Sequence, residues 1–108
     1  MSRIDQVNEL LKYELARLVE EHVNINGGLV TITFVDCSPD LKYAKIGISV
    51  LPEGLFGTAL QELKKNNSFF SKHLRKKTRL RQVPHISWVI DDTEVKAAEI
   101  DEILKGIR

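Results

Sequence analysis

Eight lysines and arginines lie between Leu63 and Ile90, and those 28 residues contain no aspartate or glutamate. That quarter of the chain holds half of its sixteen basic residues, so a formal net charge of only +1 conceals a basic patch offset by acidic ends. The densest run is Lys72-His73-Leu74-Arg75-Lys76-Lys77-Thr78-Arg79-Leu80-Arg81. Residues of this kind hold phosphates rather than break bonds: several cationic donors on one rigid face can follow a polyanion backbone. Lys72, Arg75, Lys76 and Arg79 are spaced three, one and three apart. On a helix turning about 100° per residue they form one stripe, roughly opposite Phe70 and Leu74. Lys77 and Arg81 flank the stripe, and Lys64 and Lys65 precede it. Solvated helix faces usually mix signs, whereas unrelieved repulsion among cations costs stability unless a partner relieves it. Nucleic acid is the partner that such segregated charge suggests first. An acidic protein is the alternative, and low salt sensitivity would favour it.

Other chemistries find little support. His22, His73 and His85 have no ligand spacing among themselves or with Cys37, so no metal or other cofactor is expected. Cys37 ends a β-branched stretch and reads as a small packing residue. Asp91-Asp92 stands just before a helical pattern, where N-capping explains it better than acid–base work. Gly27-Gly28 precedes a strand pattern rather than a helix, unlike a phosphate-cradling loop. Phe69 and Phe70 are candidates for stacking on bases, with at most Phe69 free of the core. No nucleophile–base pair is visible, and no enzyme is expected.

The elements that must position the basic run follow from periodicity. Ile4, Val7, Leu11, Leu15, Leu18 and Val19 recur at helical steps, predicting an amphipathic helix over 3–22 that ends at the Asn24–Gly28 stretch. Leu29 to Asp36 alternates as a strand, with Val30, Ile32 and Phe34 inward. Ser38-Pro39-Asp40 is a turn signal, and Tyr43 to Leu51 a second strand with Ala44, Ile46, Ile48 and Val50 inward. A short loop between the two predicts an antiparallel hairpin. A helix from about Leu55 carries Phe56, Leu60 and Leu63. The polar run Lys64–Ser68 interrupts it, and a second helix from near Phe69 runs on until Pro84 stops it. His85 to Asp91 is a third strand, with Ile86, Trp88 and Ile90 inward. A last helix over 94–107 carries Ile100, Ile103, Leu104 and Ile107. The helical stretch between the second and third strands is long enough to bring the third in parallel. The 108 residues make one domain, 1–108, of α+β class: a three-stranded sheet packed against helices. The N-terminus has no signal-peptide pattern, no run is apolar enough for a membrane span, and the single cysteine suits a reducing compartment. A cytoplasmic location is expected.

Three strings can be read together. Val35-Asp36-Cys37-Ser38-Pro39-Asp40-Leu41-Lys42-Tyr43-Ala44-Lys45-Ile46-Gly47-Ile48-Ser49-Val50 resembles the first hairpin of bacterial ribosome-binding factor A proteins. Leu80-Arg81-Gln82-Val83-Pro84 through Trp88 to Asp91-Asp92-Thr93 resembles that family's Leu-Arg-x-x-Pro segment, and Arg3 through Val19 is similar to its opening helix. The resemblance implies a type II KH-like fold, α-β-β-α-α-β, here with an extra C-terminal helix. It implies a non-catalytic, monomeric assembly factor that binds the free small (30S) ribosomal subunit, assists late maturation of 16S ribosomal RNA and is linked to growth in the cold. Other assembly factors or GTPases would be further partners, and no membrane would be involved. KH domains that clamp single-stranded RNA use a Gly-x-x-Gly loop between the two helices. The family carries a kinked Ala-x-Gly junction there, and this chain reads Asn66-Asn67-Ser68 instead.

Overall fold

The computed structural model describes residues 2–91. The expected helix over 94–107 and the caps at Asp92 and Thr93 lie outside the described residues. The first helix, α1, is Arg3–His22. Its start is a reciprocal capping box: the Ser2 hydroxyl accepts from the Asp5 amide at 3.1 Å, and the Asp5 carboxylate accepts from the Ser2 amide at 3.4 Å. Val7, Leu11, Leu15, Leu18 and Val19 form its buried stripe, as the periodicity predicts. Beyond it, Gly27 takes a φ of 77°, which a glycine adopts without steric cost.

Strand β1 (Leu29–Cys37) pairs antiparallel with β2 (Tyr43–Leu51). The turn between them is built by Ser38 and Asp40. The Ser38 hydroxyl donates to Asp40 Oδ1 at 2.6 Å, and the Lys42 amide donates to the same oxygen at 3.0 Å. Leu41 between them takes a φ of 60°, rare for a bulky side chain, and packs that side chain against the core.

The register corrects one expectation. Ile32 pairs with Ile48, but the next pair is Phe34 with Gly47, so Thr33 is an extra residue in β1. A bulge of this kind shifts the inward face by one residue. Ile32, Val35 and Cys37 are therefore buried, and Phe34 is not part of the core. Its ring lies over Gly47, where any Cβ would collide with it. Gly47 alternates with buried Ile46 and Ile48, so this contact is on the sheet face away from the helices.

After a single 3-10 turn, Glu53–Leu55, helix α2 (Phe56–Lys65) and helix α3 (Asn67–Lys77) lead to β3 (His85–Ile90). β3 pairs in parallel with β2, from Tyr43 opposite His85 to Ile48 opposite Ile90, giving the order β1-β2-β3. The helices cover one face of this sheet. The core joins Leu11, Leu15 and Leu18 of α1, Ile46 and Ile48 of β2, Leu63 of α2, Phe70 and Leu74 of α3, and Trp88 of β3. Phe70 meets Trp88 edge to face, with ring centroids 5.8 Å apart. Ile86 and Trp88 face inward as expected, whereas Ile90 at the strand end remains 39% exposed.

Candidate nucleic-acid interface

The α2–α3 junction sets the direction of the basic helix. Only Asn66 stands between the two helices, at φ −96° and ψ 5°. Its side-chain amide donates to the Glu62 carbonyl at 2.7 Å, closing α2, while its own carbonyl accepts from the Phe70 amide at 2.9 Å, opening α3. The break thus forms without a glycine and without a positive φ. Next to it, the indole N–H of Trp88 donates to Asn67 Oδ1 at 2.6 Å. This bond ties the first residue of α3 to β3. A residue type that reads as a mere interruption in the sequence therefore does two structural jobs.

α3 begins at Asn67, two residues before the expected start, and ends at Lys77, well before Pro84. Thr78 ends it. The Thr78 amide and hydroxyl both donate to the Leu74 carbonyl, at 2.9 and 2.7 Å, and its backbone turns extended. A threonine side chain can compete in this way for the backbone acceptors of a helix. The four-residue stripe is therefore corrected. Lys72, Arg75 and Lys76 are exposed on α3, opposite buried Phe70 and Leu74, but Arg79 lies beyond the helix in the connection to β3, together with Arg81. Lys77 is exposed in the last turn, and Lys64 and Lys65 in the last turn of α2, where cations also suit the helix dipole. Among the described residues the ion pairs are Arg17–Glu14 and His22–Glu21, and none involves a cation of the basic run.

α3 also borders a cleft of about 650 Å³ that periodicity does not reveal. Ser68, Ser71, Lys72 and Arg75 line one wall, Gln82 to Ile86 another, and Lys42 joins them from the β1–β2 turn. Among the described residues, no carboxylate lines it. The backbone amide of His85 donates to the Lys42 carbonyl at 2.8 Å, so the parallel pairing of β2 and β3 holds the two cleft walls in register. Lys42 and His85 are more than forty residues apart in the chain, and only that pairing brings them together.

The remaining candidates have simpler places. Asp40 belongs to the turn. Its hydrogen bonds from the Ser38 hydroxyl and the Lys42 amide hold its carboxyl below the usual value, aided by the Lys42 charge. Cys37 is buried, and desolvation together with the neighbouring Asp36 charge pushes its thiol up, the opposite of nucleophile activation. Trp88 is core, as expected. Phe69 is 41% exposed, but its ring meets His22 at 4.8 Å, His73 at 5.9 Å and Phe70 at 6.0 Å. Among the described residues no group of three His, Cys, Asp or Glu converges, and no helix is long and apolar enough to cross a membrane.

A hairpin joined through a broken helix pair to a parallel third strand, with cations along the second helix of that pair, defines a KH-like α+β domain. The chain belongs to the ribosome-binding factor A family, whose sequence model matches residues 3–104. A ribosome-binding factor A from Pseudomonas putida is 33% identical over 108 residues, covering 96% of this chain and 82% of that protein. The crystal structure of ribosome-binding factor A from Thermus thermophilus has a TM-score of 0.71 at 19% identity, covering 81% of this chain and 93% of that one. A homology model of the Thermus thermophilus factor, as fitted into a cryo-EM map of a 30S complex, has a TM-score of 0.66 at 20% identity, covering 79% of this chain and 91% of that one.

Proposed function

We propose that this protein is a non-catalytic assembly factor that binds the free small ribosomal subunit in the cytoplasm and assists late maturation of its 16S ribosomal RNA. The observation that carries the reading is the union of a cationic helix face with a basic cleft, neither of which meets a carboxylate among the described residues. Family membership and the relative fitted into a 30S complex support the choice of partner. Lys72, Arg75 and Lys76 contact phosphates from α3, Arg79 and Arg81 extend the contact beyond it, and Lys64 and Lys65 touch the RNA near the junction. Affinity comes mainly from released counterions and specificity from RNA shape. Phosphate contacts from those five residues on and beyond α3 would give a slope of roughly −4 in log affinity against log salt.

The test is sedimentation of the tagged protein in lysate at low and moderate salt. Co-migration with free small subunits, absence from assembled ribosomes and loss of co-migration for Arg75→Glu/Lys76→Glu are expected. Retention at the top of the gradient at every salt concentration would reject the ribosomal partner. Binding that survives nuclease treatment would point to an acidic protein instead.

A further inference from the structure

Tyr43 is the first residue of β2, and its side chain is 61% exposed. It takes no part in the core, and among the described residues its ring meets only the imidazole of His85, edge to face at a centroid distance of 6.2 Å. The two residues are register partners in the parallel pair. Their neighbours Ala44 and Ile86 are buried under the helices, so strand alternation puts both rings on the open face of the sheet. His85 also lines the basic cleft, and Lys42, next to Tyr43, lines it from the turn. An exposed aromatic ring thus stands on the open face at the start of β2, next in the chain to Lys42 and in contact with His85, two residues that also line the cleft bearing Lys72 and Arg75 at the same end of the sheet.

We infer that Tyr43 and His85 form a stacking platform for one unpaired base of a single-stranded RNA segment, whose phosphates run through the cleft over Lys42, Lys72 and Arg75. The inference rests on the RNA-binding reading above and adds a second kind of contact to it. Cations alone serve duplex and single strand alike. A ring open to solvent is of use only to a base outside a helix, because paired bases keep their faces stacked within it. Charge complementarity favours RNA over an acidic peptide here, because the phosphate-bearing strand brings its aromatic faces and its charges on the same short repeat. Tyr43 is better placed than Phe69, whose ring already has three aromatic neighbours.

The experiment is fluorescence anisotropy of a labelled short oligouridylate, alone and annealed to oligoadenylate, with the full chain and its Tyr43→Ala and Tyr43→Phe variants. Tyr43→Ala should weaken single-strand binding roughly tenfold and leave duplex affinity and the salt slope unchanged. Tyr43→Phe should bind as the parent does, and all three proteins should melt alike. Single-strand affinity unchanged in Tyr43→Ala, or an equal loss on single strand and duplex, overturns the platform while the RNA-binding reading stands. A parent chain that binds neither probe at low salt removes the RNA-binding reading and the platform with it.

Discussion

Helices α1 and α3 pack on the same face of one sheet and divide the work between them. α1 buries five side chains, begins with a reciprocal capping box and carries both signs of charge, from Asp5 and Glu9 to Lys12 and Arg17. α3 buries two, begins without a side-chain cap and carries Lys72, Arg75, Lys76 and Lys77 with no acidic residue at all. One helix is built to be stable. The other is held in place from outside, by Asn66, by the Asn67–Trp88 bond and by Phe70, so that its surface can carry cations that pair with no carboxylate among the described residues.

Substitutions should separate the two helices. The largest effect expected is on α1: Leu15→Ala, at a fully buried position, should cost about 3 kcal/mol of stability by urea unfolding, without changing the affinity of the molecules that remain folded. Arg75→Glu/Lys76→Glu on α3 should do the reverse, lowering RNA affinity by roughly a hundredfold and flattening the salt slope by about two, with unfolding within about 0.5 kcal/mol of the parent. An equal loss of stability in the two variants would erase the distinction. Asn67→Ala should lie between them. It leaves the Trp88 N–H without its partner, at a cost of about 1–2 kcal/mol, and should weaken RNA binding as well, because the direction of α3 depends on that bond.

The smallest effect concerns the turn that supplies Lys42. The Asp40 carboxyl is held below its ordinary value of 3.8 in the folded protein, so the charged form stabilises the fold. That contribution is complete above the unfolded value and is lost as pH falls through the lower folded one. The stability difference between the parent and Asp40→Asn should therefore be constant near neutral pH and shrink under acid, as followed by thermal melts. A difference that grows with acid would contradict the hydrogen bonds assigned to Asp40.

Much of this division is legible in the residues. The α1 stripe, the hairpin and the parallel third strand follow from periodicity and loop length, because each depends on near neighbours or on chain reach. Three features do not. The place of Phe34 depends on a bulge at Thr33, which leaves no mark in a pattern that alternates equally well without it. The end of α3 depends on Thr78 competing for the Leu74 carbonyl, while the cationic residues after it continue a helical spacing by coincidence. The cleft depends on Lys42 meeting His85 across two paired strands, a contact between residues that share no local pattern. The basic run is therefore readable as a composition, but its shape is not: cations on a helix, others on the segment that follows it, and one more arriving from a distant turn.

The indole of Trp88 is the only one in the chain, and it is hydrogen-bonded to the first residue of α3. Indole emission responds to the loss of such a bond and to the entry of water. The protein consequently carries its own optical gauge at the hinge of its helix pair, so that any movement of α3 on docking would register in the native protein without a dye.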